Sequence, residues 1–520
     1  MKIKKITAMA AAAALLFTTA GCSNGGTKEA SEGNKITYWA ELNSAATSHI
    51  QSMNDMLMYQ EAQKKTGIDV EFIHPPTGQT AEQFNLLIAS GEESWPDIIE
   101  YDWSSYPGGA QKAIEDGIII NLNEMVEKYA PNLKKALESN PIYKKQSVTD
   151  NGDLFAFPSL NVGKYRTFSG LMIRKDWLDE LGLAVPETLD EWEVVLKAFK
   201  DKGVKAPLAF IPWYIIGAGV FNNCFDVGTN FYIEDNEVKA PVLQPQYKQY
   251  IECMHRWYEN GWIDQEFDTN NDAAIDAKMT NGTSAVTYGG IGGTMGRYMS
   301  AMKDKDPNYK LCAVPYPVKN KGDKAKFVDY QYEANPPFAA ITTHCKNVEA
   351  AVKFLDFFYS EEGDVLQNYG VEGKTYNMVD GEYVYTDEIL NNPDGLSIAE
   401  ALAVNLRAQT LAPGFNQHEN YLMQYYQLDE QKQAIDIWAQ SGDAAQQAKM
   451  PPITFTEAES SELVTIKAET QTYIEEMLIK FIKGTETMDN YDAFVERLKG
   501  MGYERMRDLY QQAYERYENR

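Results

Sequence analysis

The stretch from Gly152 to Trp192 constrains the fold most, because it joins two strand-like runs through a short break and then turns helical. The runs Leu154–Phe157 and Phe168–Ile173 have the length and the apolar, aromatic-rich content of buried strands. The intervening residues Pro158–Gly163 include Pro, Ser, Asn and Gly, which favour a chain break. We interpret this stretch as the place where the chain leaves one α/β lobe and enters a second.

Two helices follow the second of these runs. The first covers Arg174–Leu181 and ends at Gly182. The second begins after Pro186, where Thr188 and Glu191 have the spacing of a capping box. Its apolar residues fall on one face and predict burial of that face: Leu189, Trp192, Leu196 and Phe199.

Strands and helices also alternate before this stretch. Lys35–Trp39, Ile68–Ile73 and Asp97–Tyr101 read as strands, and Thr47–Lys65 and Ala81–Ala89 read as the helices between them. This alternation is typical of βαβ units and predicts a mainly parallel sheet. From about Ser397 onward the pattern is mostly helical, so the fold class is α/β with a helical C-terminal extension.

Length and charge limit the classes of protein to consider. A chain of 520 residues is too long for one core and predicts two or three units. The formal net charge of −27, with no basic run, disfavours binding to nucleic acid or to anionic lipid surfaces. We therefore expect a soluble acidic surface and no nucleic-acid partner.

The N-terminus has the pattern of a bacterial lipoprotein leader. Residues 1–21 combine a basic start, the alanine-rich apolar segment Ile6–Phe17 and small residues before Cys22, which predicts a secretory signal peptide. Ala20-Gly21-Cys22 resembles a lipobox, in which the cysteine receives a diacylglycerol, although Thr19 stands where Leu is usual. Residues 22–34 are then expected to be a lipidated flexible tether, which makes the membrane a partner through the lipid anchor only.

Neither the later cysteines nor the acidic residues have the spacing of a metal site. We expect the four cysteines without CxxC spacing to be free thiols: Cys224, Cys253, Cys312 and Cys345. Asp268, Asn270 and Asp272 have the spacing of the first ligands of a calcium loop. Ala273 and Met279 replace the Gly and Glu that such a loop needs, so we expect no metal and no cofactor.

Several segments, in consistent order, are similar to those of family 1 extracellular solute-binding proteins of ABC importers. The chain most resembles the long lipoprotein branch from Gram-positive bacteria, a group related to maltodextrin-binding proteins. The similar segments include Thr66–Glu71, Leu87–Gly91, Gly152–Pro158, Ile173–Leu178, Pro186–Trp192, Tyr258–Asp264 and Ala350–Gly363.

This resemblance implies a two-lobed fold of the periplasmic-binding-protein type II, with discontinuous lobes that close about a hinge. Residues 35–165 plus 283–340 are expected to form lobe one, and residues 166–282 plus 341–520 to form lobe two. The resemblance further implies a carbohydrate ligand, a permease of an ABC importer as partner, a position on the outer face of the cell membrane, and a monomer.

Residues just after strands are the candidates for ligand contact, because open α/β sheets bind ligands at the carboxyl ends of their strands. Sugar recognition needs aromatic faces for stacking together with carboxylates or Arg for hydroxyl groups. Candidates with these side chains are Trp39, Glu41, Asn43, Asp102, Trp103, Tyr106, Arg166, Trp213, Tyr214, Tyr288 and Trp438.

Two other functions remain open at this point. A secreted glycan-degrading enzyme would need only a pair of carboxylates that meet in space, although no GxSxG, HExxH or P-loop motif is present. A binding protein for a non-sugar solute, such as a peptide, would share the same fold. We expect a binding protein without enzymatic activity.

Overall fold

The structure is a computed structural model that describes residues 34–408 and 410–520. The predicted signal peptide, the lipidation site Cys22 and the tether up to residue 33 lie outside the described residues. The strands are β1 (Lys35–Trp39), β2 (Asp69–Ile73), β3 (Ile98–Tyr101), β4 (Phe157–Asn161), β5 (Ser169–Arg174), β6 (Tyr232–Glu234), β7 (Glu237–Lys239), β8 (Val286–Gly290), β9 (Leu311–Ala313), β10 (Ala334–Ile341), β11 (Tyr376–Val379), β12 (Glu382–Tyr385) and β13 (Gly414–Asn416).

Helices make up most of the remaining regular structure. They are α1 (Leu57–Thr66), α2 (Thr80–Ala89), α3 (Gly109–Glu115), α4 (Asn123–Tyr129), α5 (Pro131–Ser139), α6 (Pro141–Ser147), α7 (Lys175–Glu180), α8 (Leu189–Asp201), α9 (Pro212–Ile216), α10 (Pro245–Glu259), α11 (Asp272–Thr280), α12 (Arg297–Met302), α13 (Val348–Phe357), α14 (Glu361–Asn368), α15 (Asp387–Leu390), α16 (Ile398–Asn405), α17 (Glu419–Tyr425), α18 (Asp429–Trp438), α19 (Gly442–Ala448), α20 (Glu457–Lys483), α21 (Tyr491–Gly500) and α22 (Tyr503–Glu518). The predicted α/β class and the helical C-terminal part are confirmed.

A six-stranded sheet in the order β13-β4-β10-β3-β1-β2 organises the first lobe. Strands β2, β1 and β3 run parallel, as their alternation with helices predicts, whereas β10 is antiparallel to both β3 and β4. Helices α1, α13 and α16 pack into the core around this sheet. The carboxyl ends of β1 and β3 therefore open on the same edge of the sheet.

A three-stranded antiparallel sheet, in the order β8-β5-β9, organises the second lobe. Its core includes residues of α8, α10, α20, α21 and α22, and its largest fully buried side chains include Trp192, Trp257 and Phe199. This core lies against one face of the three-stranded sheet, whereas Met172, Leu311 and Ala313 of the same sheet belong to the apolar cluster that includes the first lobe.

The predicted lobe boundaries need correction. Residues 283–340 were expected to rejoin lobe one, but β8 pairs with β5 in the three-stranded sheet. Residues 341–520 were expected to form lobe two, but α13 packs in the first core and β13 forms the edge of the six-stranded sheet. Strand pairing joins segments that are distant in sequence, so these partners cannot be read from local pattern.

The predicted break at Pro158–Gly163 is also placed wrongly, because Pro158, Ser159 and Asn161 belong to strand β4. The β4–β10 pairing shifts register between its contacts at Ser159 and Phe157. This irregularity lies opposite Pro158, which has no N–H to donate to a regular ladder. The chain break comes later, at residues 162–168.

Helix α8 begins as its sequence predicts. The Thr188 hydroxyl accepts a hydrogen bond from the Glu191 N–H, and the Glu191 carboxylate accepts one from the Thr188 N–H. Hydrogen bonds from the N–H groups of Glu187 and Thr188 lower the pKa of Glu191. Trp192, Leu196 and Phe199 are fully buried on the predicted face.

We expect Thr188→Ala to destabilise the second lobe by about 1 kcal/mol, because it removes the side-chain acceptor at the helix N-terminus. Thr188→Ser keeps the acceptor and should stay close to the parent protein. Urea unfolding curves of the three proteins measure the difference. Equal stability of Thr188→Ala and Thr188→Ser would contradict the role given to this cap.

Residues 162–168 and 314–333 connect the lobes. A third segment, residues 439–456, packs beside them and joins α18 to α20, which both pack on elements of the second lobe. The Gln331 N–H donates to the Arg166 carbonyl at 2.8 Å, which joins the first segment to the second. The Tyr332 hydroxyl donates to the Met450 carbonyl at 2.8 Å, and Lys449 donates to the Tyr330 carbonyl, which joins the second to the third. The three segments therefore form one hydrogen-bonded hinge.

The C-terminal helix also reaches from the second lobe to the first. Arg516 Nε and Arg520 Nε each donate to the Asp150 carboxylate at 2.8 Å. The Arg520 side chain is almost fully buried and donates to the Val148 carbonyl as well. Asp150 thus fixes the end of α22 against the first lobe.

We expect Asp150→Asn to cost about 1 to 2 kcal/mol of stability, because it leaves the buried Arg520 without its anion. Asp492→Asn is a matched control. The Asp492 side chain, which forms an ion pair with Lys248, is 84% exposed. Loss of this ion pair should cost no more than about 0.5 kcal/mol. Thermal unfolding of both variants tests this, and equal effects would contradict it.

Within residues 34–408 and 410–520, no helix is both long enough and apolar enough to cross a membrane. The prediction of free thiols is confirmed for Cys224, Cys253, Cys312 and Cys345.

Candidate functional site

A pocket of about 580 Å³ lies at the carboxyl ends of β1 and β3 in the first lobe. It brings together three predicted residues, Glu41, Asn43 and Asp102. Asn43 Oδ1 accepts from the Ala45 N–H at 2.8 Å, which fixes the turn after β1. Asp102 Oδ1 accepts from the N–H and hydroxyl of Ser104, at 3.0 and 2.7 Å. The pocket therefore offers carboxylate and amide groups on two short, well-fixed turns.

A buried ion pair forms part of the wall of this pocket. Arg407 donates to both oxygens of Glu100, at 3.0 and 2.7 Å, and to the Tyr59 hydroxyl at 3.1 Å. The Tyr38 hydroxyl donates to the same carboxylate at 2.6 Å. Burial alone would lower the pKa of Arg407, but the charge of Glu100 raises it well above its usual value. Arg407 thus ties the segment after α16 to strand β3.

Aromatic side chains form the corresponding surface of the second lobe. Trp213, on the short helix α9, is 55% exposed, and its ring lies 6.1 Å from that of Tyr288 on β8. Tyr214 is half-buried behind them, with its ring 5.3 Å from Tyr288. Burial raises the pKa of Tyr214 to about 12, so its hydroxyl stays neutral at physiological pH. The structure therefore brings the three predicted aromatic residues together, and the indole of Trp213 is the exposed face of this group.

Two cavities meet at Trp213. One, of about 340 Å³, is lined by Trp213, Tyr288 and hinge residues that include Tyr332 and Lys449. The other, of about 710 Å³, extends from Trp213 along helix α20. These volumes fall in the range of about 300–1,000 Å³ that is usual for ligand sites.

The pockets of the two lobes lie close together along one strand. Tyr332 lines the hinge cavity and Pro336 lines the first-lobe pocket. Three residues lie between them, and an extended chain over these four residue steps spans no more than about 14 Å. The edges of the two pockets therefore lie within about 14 Å of each other at this point of the chain.

Three of the predicted contact residues are core residues in this structure, and the prediction for them is corrected. Trp39 packs against Phe84 and Tyr101, and it is 4% exposed. Trp103 is fully buried, and its indole N–H donates to the Phe338 carbonyl at 3.2 Å. Trp438 is 1% exposed and donates to the Val314 carbonyl at 2.9 Å. A buried ring whose N–H already has a partner offers no face to a ligand.

Two more predicted residues lie outside the three pockets. The Tyr106 hydroxyl donates to Asp116 at 2.8 Å, and burial followed by this bond raises the pKa of Tyr106 to about 12. The Arg166 guanidinium donates to the Gly163 and Asn161 carbonyls at 2.6 and 2.9 Å. Arg166 therefore lies at the hinge, and its guanidinium stabilises the hinge through hydrogen bonds to nearby carbonyl groups of the same chain.

The structure adds pocket residues that sequence reasoning missed: Tyr330, Tyr332, Lys449, Asn230 and Arg407. Tyr330 and Tyr332 are two residues apart and stand just before the double proline that begins at Pro336. That pattern could have identified them as candidate pocket residues. Lys449 and Arg407 have no such local signal, because they reach the pockets from distant segments.

The polar segment that partly resembles a calcium loop has internal partners. Lys278 Nζ contacts Asp264 and lies 2.7 Å from Asn270 Oδ1. Asp268 accepts from Lys483 at 2.6 Å, and Asp272 begins helix α11. In the part of the chain that the structure describes, no group of three or more His, Cys, Asp and Glu side chains could hold a metal ion.

Two lobes with separate sheets, joined by hinge segments, with a polar pocket on one and an aromatic surface on the other, have the arrangement of a binding protein that holds its ligand between domains. The family profile of bacterial extracellular solute-binding proteins matches residues 46–365, and the chain belongs to this family.

Curated relatives are similar over most of their length. Lipoprotein LipO of Bacillus subtilis (strain 168) is 27% identical over 408 residues, which are 74% of this chain and 76% of LipO. The fructooligosaccharide ABC transporter substrate-binding protein FusA of Streptococcus pneumoniae serotype 4 is 27% identical over 383 residues, or 69% of this chain and 68% of FusA.

Solved structures with the same fold include sugar-binding proteins. The alginate-binding protein AlgQ2 without calcium ion superposes with a TM-score of 0.71 at 24% identity, and the match covers 94% of this chain and 99% of AlgQ2. A solute-binding protein of an HMO-binding ABC transporter from Bifidobacterium longum infantis gives a TM-score of 0.73 at 19% identity, with 94% and 99% covered. The expected type II solute-binding fold is confirmed.

Proposed function

We propose that this protein captures an oligosaccharide between its lobes and delivers it to the permease of an ABC importer. The observation that carries the proposal is the pairing of two surfaces. Glu41, Asn43 and Asp102 supply hydrogen-bonding groups on one lobe, and Trp213 supplies an exposed stacking face on the other. Sugars need both kinds of contact, because their hydroxyls bond in the ring plane and their C–H faces pack on aromatic rings.

The hinge supports a mechanism of capture by closure. Ligand that touches both lobes stabilises the closed form by its differential affinity for that form. The connecting segments bond to each other through Arg166 and Gln331, and Lys449 bonds to the second of them, which would give the lobes a common line about which to rotate. The closed form would then be the one that the permease recognises.

The rest of the proposal concerns the location of the protein in the cell and the form in which it acts. Cys22 is proposed as the lipidated N-terminus of the mature chain, which residues 22–34 tether to the outer face of the cell membrane. The mature protein is proposed to act as a monomer, to use no cofactor and to release its ligand chemically unchanged. FusA and other matched relatives carry names of substrate-binding proteins of ABC transporters, which supports this assignment.

Isothermal titration calorimetry against a panel of oligosaccharides tests the proposal. We expect binding of at least one glycan, together with a decrease in the radius of gyration by small-angle X-ray scattering. Peptides and polyamines serve as controls for other solute classes. Binding of a peptide with no response to any glycan would overturn the proposal, and so would release of new reducing ends from a bound glycan.

A further inference from the structure

We infer that the site selects a neutral oligosaccharide, one without carboxylate, sulfate or phosphate groups. This inference rests on the proposed function and concerns the charge of the ligand. It is based on the set of charged side chains that line the three pockets. A charged side chain that already has a partner in the protein is not available to balance the charge of a ligand.

Carboxylates in the pockets have free oxygens. Glu41 is exposed, and its side chain has no hydrogen bond or ion pair to any described residue. Asp102 lines the first-lobe pocket and uses only Oδ1 in its turn, so Oδ2 has no hydrogen bond to a described residue. Asp329, on the edge of the hinge cavity, is also exposed, and its carboxylate has no hydrogen bond or ion pair within residues 34–408 and 410–520. The pockets thus offer acceptors with negative charge.

The cations at the first-lobe pocket and the hinge cavity are already occupied. Arg407 directs its guanidinium to Glu100. Lys326 Nζ lies 2.8 Å from the Asp226 carboxylate. Lys449 donates to the Tyr330 carbonyl and lies 4.2 Å from the centre of the Tyr332 ring. Burial lowers the pKa of Lys449, whereas the nearby charges of Asp329 and Glu333 act to raise it.

The cavity along α20 is balanced in charge. Lys467 is exposed there, and Glu475 lines the same cavity from the same helix. The Glu475 carboxylate accepts from the Gln471 side-chain amide at 3.1 Å. An anionic ligand would therefore meet one cation and one carboxylate in this cavity, and free carboxylates in the other two.

The energetic consequence favours ligands with hydroxyl groups. A hydroxyl donates to Glu41 or Asp102 in a charge-assisted hydrogen bond, which is stronger than a neutral one. A ligand carboxylate at the same place has no proton to donate, and it would be removed from water beside like charge without a counter-ion. The same groups that hold a neutral sugar thus exclude an acidic one.

The test compares matched pairs of ligands by titration calorimetry. For each glycan of the panel that binds, the partner is the same glycan with its C6 hydroxymethyl groups oxidised to carboxylates. Trigalacturonate and its fully methyl-esterified form provide a second pair that differs only in charge. We expect the neutral member to bind at least about tenfold more tightly, and its Kd to change less than about twofold between 20 and 500 mM NaCl.

Variants connect this preference to the named residues. Glu41→Gln and Asp102→Asn should each weaken the neutral ligand by about tenfold or less and reduce its advantage over the acidic partner. Equal or tighter binding of the acidic member overturns this inference and leaves the proposed function intact. Failure of every neutral and acidic glycan to bind overturns the proposed function, and the inference with it.

Discussion

Arg407→Met is expected to destabilise the first lobe by about 3 to 5 kcal/mol, because it leaves the buried Glu100 carboxylate without its counter-charge. Methionine keeps much of the volume of the arginine stem, so the variant removes mainly the charge and its hydrogen bonds. The loss would also free the segment after α16 from strand β3, which forms part of the first-lobe pocket. Urea unfolding followed by tryptophan fluorescence measures the change.

Two further variants test whether the unpaired buried charge of Glu100 causes the loss of stability. The double variant Arg407→Met, Glu100→Gln should be more stable than Arg407→Met alone, because no unpaired charge then remains buried at this pair. Arg505→Ala removes an ion pair with Glu462 that is exposed on both sides, and its effect on stability should be much smaller than that of Arg407→Met. A loss of less than about 1 kcal/mol for Arg407→Met would show that water or a neighbouring group compensates Glu100.

Trp213→Ala is expected to weaken the binding of the oligosaccharide by about 2 to 3 kcal/mol, or about 30- to 150-fold in Kd. The indole is the large exposed aromatic face at the junction of two cavities, and alanine removes all of it. Stability should change by no more than about 0.5 kcal/mol, because the side chain is already more than half exposed. Calorimetry with the glycan identified in the panel measures the first effect, and thermal unfolding measures the second.

Three further variants define the role of the indole. Trp213→Phe should retain part of the affinity, since it keeps a smaller aromatic face. Gly217→Val should weaken binding as well, because a Cβ at residue 217 would lie 2.4 Å from the indole and displace it. Leu86→Ala, a change at a side chain of equal exposure on α2, should leave affinity unchanged. Full affinity in Trp213→Ala would remove Trp213 from the site.

Features of the fold that depend on near neighbours in sequence could be predicted. The capping box at Thr188 and the buried face around Trp192 follow from spacing within a single helix, and both are present. The parallel arrangement of β1, β2 and β3 follows from alternation of short strands with helices. In each case the determining interactions lie within one or two consecutive elements.

Features that depend on distant partners could not be predicted. Whether β8 pairs with β5 or joins the other sheet is decided by side chains of both lobes, and the sequence of β8 fits either choice. Trp103 follows a strand just as an accessible aromatic would, but its ring turns under the sheet to the Phe338 carbonyl. Trp213 stays exposed because Gly217, one turn later, leaves room for its ring on the helix surface.

The order of the six-stranded sheet affects how the chain folds as it is made. Strand β10 lies between β3 and β4, and β13 closes the edge beside β4 through the pairing of Ser159 with Gly414. The early strands therefore remain two unconnected pieces until residues 334–341 arrive, and β4 keeps an open edge until residues 414–416 arrive. Such late closure predicts slow acquisition of the native state and exposure of unpaired edges during export, when chaperone protection would matter most.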